Sequence, residues 1–239
     1  MEGKKKMIIA LNNKSNLKKE DFLMYQKELK IIQTNHKLIL CPSTLFIPLY
    51  EPSKIFLGAQ NVSKFNIGAH TGEVSAEQLA SFGVEYCIVG HSERRLEQYE
   101  KNTDTNLKIK RLLEQDITPI LCIGEKKEEK ENKTYKDKIR QEILDSILEL
   151  TEDQKEKIII AYEPIWSIGT GVVPTNEEIK EIFDLIKEVL PKNKILYGGS
   201  ANNDTIGELK KCDFIDGYLL GGISLKPDKL KEFIETIEK

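Results

Sequence analysis

The chain has 239 residues, with 36 Lys plus Arg against 39 Asp plus Glu and a formal net charge of -3. With no excess of positive charge to pull on phosphate backbones or anionic lipid, nucleic acid and membrane surface are poor partners. Its hydrophobic fraction of 39%, joined by 15 glycines, belongs to a folded chain and not to a disordered one.

The first six residues, Met-Glu-Gly-Lys-Lys-Lys, have the charge of a signal peptide, but five apolar residues follow before Asn12 and Asn13. That is too short for a leader's apolar region, so the segment reads as a basic tip ahead of a strand. No apolar run approaches the ~20 residues of a membrane span. Short runs rich in Ile, Val and Leu then occur at 7–11, 37–41, 55–60, 86–90, 119–123, 157–162, 195–199 and 214–220. Each is nearly continuous in apolar residues, the pattern of parallel strands buried on both faces.

Between them, helical spacing is clearest at 17–33, 103–115, 135–150, 176–190 and 228–237. Ile143, Ile147 and Leu150 are four and three residues apart, with Leu148 beside them, which predicts a one-sided helix. The charged run from Lys126 to Lys133 is expected to be a solvated loop leading into a helix. Eight strand–helix units in one chain predict an α/β fold with a single domain over 1–239, a (β/α)8 barrel, for which ~250 residues is typical. A doubly wound open sheet is the alternative. Cys41, Cys87, Cys122 and Cys212 are far apart and form no C-x-x-C pair. Neither a zinc site nor a disulfide framework is expected, and a reducing cytoplasm suits them.

Chemistry in such a barrel sits at the C-terminal ends of the strands. The first strand runs into Asn12 and Lys14, where a fixed ammonium can neutralise a substrate phosphate and a developing oxyanion, with Asn12 as a second donor. The fourth ends in Gly90-His91-Ser92-Glu93-Arg94-Arg95. A helix opening at Ser92 would lower the basicity of His91 and leave a neutral imidazole able to shuttle protons between oxygens. The paired arginines are expected to hold Glu93 in a planar ion-pair network. His36 and His70 lack such a context and read as surface or interface residues.

The sixth strand ends at Glu163, whose backbone Pro164 stiffens. In an apolar site a glutamate would have the raised basicity needed to take a carbon-bound proton. Pro164, Ile165, Trp166, Ser167, Ile168, Gly169, Thr170 and Gly171 read as a lid, with Trp166 and Ile168 at an apolar tip and the glycines as hinges. After the seventh and eighth strands, Gly198-Gly199-Ser200 and Gly221-Gly222 suggest a phosphate site made of backbone N–H groups.

Residues 161–171, Ala-Tyr-Glu-Pro-Ile-Trp-Ser-Ile-Gly-Thr-Gly, together with Val89-Gly90-His91-Ser92-Glu93-Arg94-Arg95, resemble the triosephosphate isomerase family. Tyr197 to Ser200, Gly217 to Gly222 and Thr71 to Ser75 carry the same resemblance. It implies a TIM barrel that interconverts dihydroxyacetone phosphate and glyceraldehyde 3-phosphate, a small phosphorylated triose, with no cofactor and no metal. A glutamate base paired with a neutral histidine is the established pattern of this family, so the implied catalytic set is Glu163, His91, Lys14, Asn12 and Glu93. Gly169, Ser200, Gly221 and Gly222 would hold the phosphate. The resemblance also implies a homodimer in which the loop around Thr71 reaches the partner's first strand end. Asn13, Ser15 and His70 depart from the family and are expected to lie in that contact. The competing readings are an isomerase or epimerase of another small sugar phosphate, or a non-catalytic barrel used for binding.

Overall fold

The computed structural model describes residues 5–239, so the first four residues of the basic tip lie outside it. Eight strands form: β1 (Ile8–Asn12), β2 (Lys37–Cys41), β3 (Phe56–Ala59), β4 (Tyr86–Val89), β5 (Thr118–Ile123), β6 (Ile159–Tyr162), β7 (Ile195–Tyr197) and β8 (Gly217–Leu220). They pair in parallel in chain order, and β8 returns to β1 to close a barrel with Ile8 opposite Gly217. Because side chains alternate along a strand, each one feeds two apolar layers. Ile9, Leu11, Cys87, Val89, Ile160 and Tyr162 face the helices. Ala10, Ile88, Ile159, Ala161 and Leu219 fill the barrel interior. This double burial is why the strands read as unbroken apolar runs.

The helices are α1 (Lys19–Leu29), α2 (Ala76–Ser81), α3 (Ser92–Glu97), α4 (Asn102–Glu114), α5 (Lys127–Glu131), α6 (Tyr135–Ser146), α7 (Glu152–Glu156), α8 (Asn176–Val189), α9 (Ile206–Leu209) and α10 (Pro227–Ile237). The five long ones are those that periodicity predicts. Several strands are shorter than expected: Lys157 and Ile158 still bond back to Gln154 and Lys155, so β6 starts at Ile159. The charged run at 126–133 is a correction, since it folds into α5 and is not a loop. The Glu129 carboxylate accepts the Lys126 N–H at 2.8 Å, satisfying a helix-end donor that a loop would leave to water.

Candidate active site

At the end of β1, Lys14 adopts a left-handed backbone conformation with φ +52°. Such a conformation is uncommon for a side-chain-bearing residue and needs support. Asn12 Oδ1 accepts the Lys14 N–H at 3.1 Å, and Gln60 Nε2 donates to the Lys14 carbonyl at 2.9 Å. The Lys14 ammonium then binds the Glu93 carboxylate.

Across the barrel mouth, His91 stands just before α3. Its Nδ1 accepts the Glu93 N–H at 3.3 Å, which leaves Nε2 to carry the ring proton. Nε2 lies 3.1 Å from Glu163 Oε1, and both side chains are buried. Glu163 Oε2 accepts the Ser92 N–H at 3.2 Å. Burial weakens the imidazole's hold on a proton, but the adjoining Glu163 carboxylate outweighs it and the net shift of His91 is upward. For Glu163, burial pushes the carboxyl up, while His91 and the Ser92 N–H bring it net below the ordinary value. Both directions are opposite to the sequence expectation, because that expectation treated each group alone and here they face one another.

One cavity of about 230 Å³ opens at this end of the barrel. Asn12, Lys14, His91 and Glu163 line one part of it, and Gly169, Ser200, Gly221 and Gly222 another. Glu93 does not line it and stands behind Lys14 as its ion-pair partner. Ser200 is turned toward the lid base, its N–H donating to Ser167 Oγ at 3.3 Å and its hydroxyl to the Ser167 carbonyl. Leu219, also in the wall, carried no chemical signal in the sequence. A wider groove of about 940 Å³ lies at the opposite end of the barrel, near Met7 and His36, and contains none of these residues.

The lid differs from expectation in one respect. Trp166 is at its base and not its tip: the indole N–H donates to Glu125 Oε1 at 2.7 Å, and the Lys130 ammonium stands 3.8 Å above the ring. Tyr162 donates to the same Glu125 oxygen at 3.1 Å. The exposed tip is Gly169, Thr170 and Gly171, with Ile168 turned toward the cavity. Gly169 and Gly171 have φ of +71° and +77°, which L side chains rarely adopt.

Two further expectations are corrected. Arg94 and Arg95 do not hold Glu93: Arg94 pairs with Glu100 at 2.7 Å, and Arg95 donates to the Gly90 carbonyl at 2.6 Å. Asn13 does not present its side chain at a surface, being 1% exposed with its amide against Tyr25 and Ser224. Thr71 and His70 do lie on an exposed loop, where the His70 ring stacks on Phe65 at 4.1 Å.

Residues 7–237 match the family model described as triosephosphate isomerase. A triosephosphate isomerase of Clostridium tetani is 38% identical, with 97% of each chain covered. One from Mycoplasmopsis agalactiae is 45% identical over 84% of this chain and 80% of its own. One from Amoebophilus asiaticus is 40% identical over 96% of this chain and 97% of its own.

Proposed function

The chain belongs to the triosephosphate isomerase family, and from that premise we propose how its residues carry the aldose–ketose isomerisation of a triose phosphate. The observation that carries the reading is the buried Glu163–His91 pair facing Lys14 and Asn12 across a single small cavity. Glu163 takes the carbon-bound proton of dihydroxyacetone phosphate or glyceraldehyde 3-phosphate and returns it to the neighbouring carbon. His91, with its proton on Nε2, serves the two oxygens between which the enediolate charge moves. Lys14 and Asn12 stabilise that charge as it grows, and Glu93 holds the Lys14 ammonium in place.

Backbone groups at Gly169, Gly221 and Gly222 hold the phosphate, and the Ser200 N–H joins them by exchanging its bond to Ser167 Oγ for one to the anion. The volume supports a triose over a larger sugar phosphate, because ~300–1,000 Å³ is usual for pockets that take drug-sized ligands. The lid from Pro164 to Gly171 closes over the enediolate, which in water would expel phosphate. The loop carrying Thr71 packs on a second copy of the chain in a homodimer. Among the described residues no helix is long and apolar enough to cross a membrane, and the four cysteines are free and buried; together these support a cytoplasmic setting.

The test is a coupled assay on purified protein with glyceraldehyde 3-phosphate, repeated with Glu163→Gln. The amide is nearly isosteric but has no basicity and can accept from only one of His91 Nε2 and the Ser92 N–H, so turnover should fall by at least ~10²-fold while phosphate binding persists. Near-normal turnover in the variant would end the assignment of Glu163.

A further inference from the structure

Directly beneath Lys14, three buried polar side chains join three elements of the fold. Asn13 Nδ2 donates to the Tyr25 hydroxyl on α1 at 3.1 Å and to Ser224 Oγ at 3.3 Å. Tyr25 donates to the Ser224 carbonyl at 2.6 Å, and Ser224 Oγ donates to the Asn12 carbonyl at 3.3 Å. Both hydroxyl protons are thereby committed to carbonyls, so only a side chain with two donors fits between the two oxygens, and the amide of Asn13 has them. Ser224 belongs to the 3-10 turn Gly222–Leu225 that follows β8. The Lys14 side chain runs along the glycine before that turn: a Cβ on Gly221 would lie 3.5 Å from Lys14 Cε.

The network is a poor choice for stability alone. Asn13 Oδ1 is buried with no hydrogen-bond partner among the described residues, and an unmet buried acceptor is costly where an apolar residue could pack. What it does supply is a fixed distance between the end of β1, which carries Lys14, and the turn that carries Gly222.

We propose that Asn13, Tyr25 and Ser224 form a positioning network that sets the spacing between the Lys14 ammonium and the backbone of the Gly222–Leu225 turn, and so governs recognition of the phosphate end of the substrate and not proton transfer at Glu163. This rests on the phosphate role given to that turn above.

The experiment compares wild type with Asn13→Leu, which keeps the size and removes both donors, and Tyr25→Phe, which keeps the ring. Inorganic phosphate is titrated by calorimetry, and KM, kcat and the pH profile of kcat are measured. Both variants should weaken phosphate binding and raise KM together, by roughly five- to tenfold, the factor one ordinary buried hydrogen bond carries. Because Lys14 also stabilises the enediolate, kcat should fall alongside, but its pH profile, which Glu163 and His91 set, should not move. Unchanged phosphate affinity in folded variants, or a fall in kcat with KM unchanged, would overturn the inference. Should Asn13→Leu not fold, Tyr25→Phe alone decides. A wild-type protein that binds phosphate without turnover would end the proposed function and leave the phosphate titration to decide the network. A wild type that binds no phosphate overturns the network's role.

Discussion

His91 Nε2 and Glu163 Oε1 stand 3.1 Å apart with only 7% and 3% of their side chains exposed, so each sets the proton affinity of the other. With ionised Glu163 as the proposed base, kcat/KM should fall as pH drops through its value in the free protein. Burial raises that value, but the imidazole and the Ser92 N–H hold it net below the ordinary one. The glutamate limb of the profile should therefore lie below the ordinary carboxylate range, apart from the limb of the substrate phosphate near ~6. In His91→Ala burial acts without the imidazole, and the glutamate limb should move up. Profiles of log kcat/KM against pH for both proteins decide this, and a limb that stays or moves down in the variant would refute the coupling.

Glu100 sits under the same strand end. Its carboxylate accepts Lys108 Nζ at 2.6 Å, Arg94 Nε at 2.7 Å and the Gly90 N–H at 3.1 Å. Burial raises this carboxyl, yet Lys108 and Arg94 outweigh it and the net shift is downward. A depressed folded value means the stabilisation is complete above the carboxyl's unfolded value and is lost as pH falls through the lower folded one. Glu100→Gln leaves Lys108, whose side chain is 7% exposed, as a buried cation without its counterion. The expected loss is about 3–5 kcal/mol, and the variant should also lose this group's share of the acid-side pH dependence. Urea midpoints measured across the acid range test both, and an unchanged midpoint would sink the idea.

Legibility in the sequence followed the scale of the interaction. The eight strands could be read because burial on both faces, as at Ile9, Ala10 and Leu11, leaves a continuous apolar run. The short helices α5, α7 and α9 span five, five and four residues, too few to complete an apolar period. Residues at strand ends, such as Lys14, His91 and Glu163, stood out because the barrel gives those positions a meaning. Glu100, Glu125 and Tyr25 did not, since what matters in them is a partner brought from elsewhere in the chain. The wrong partner for Arg94 arose in the same way: Glu93 is its neighbour in sequence, whereas Glu100 reaches it by folding back under Gly90.

Gly198 is where the seventh strand end crowds Glu163, the proposed base. A Cβ there would lie 2.9 Å from Glu163 Cγ and 3.3 Å from the Tyr162 carbonyl, so Gly198→Ala must push the carboxylate aside. Misplacing a reacting group by ~1 Å can cost ~10²-fold. The variant should lose roughly ten- to a hundredfold in kcat while inorganic phosphate binds nearly as before. A kcat close to wild type in a folded Gly198→Ala would mean that the base tolerates displacement.

The lid is anchored at Trp166 by Glu125 and Lys130, while Thr170 at its tip bonds to neighbours in the lid itself, its hydroxyl donating to the Ser167 carbonyl at 3.0 Å. Deleting residues 168–170 should keep the anchor and remove the cover. The enediolate would then meet water and expel phosphate, giving inorganic phosphate and methylglyoxal in place of isomerised product. Product partitioning measured with dihydroxyacetone phosphate reads this directly, and clean isomerisation by the shortened protein would show that the cover protects nothing.

The last prediction concerns assembly. The loop bearing Thr71 is exposed, with Ile67 at 68% and Phe65 at 40% exposure, and Gly72 turns it at φ +88°. An apolar-walled hollow of about 230 Å³ lined by Ile47, Val74, Leu79 and Phe82 lies on the same side of the chain as the base of that loop. An exposed loop with apolar side chains is what an interface between two copies would cover, and two-fold dimers are the commonest soluble oligomers. Asn13 is buried in the chain's own network and is not spent on the contact, so a weakened dimer would have to arise at Ser15 or His70. Thr71→Arg places a long cation at the loop tip, and it should yield monomers of lower activity, because the Lys14 turn would lose support from outside. Light scattering alongside the coupled assay tests the link: a wild-type protein that is monomeric and fully active at assay concentration would break the connection between assembly and catalysis.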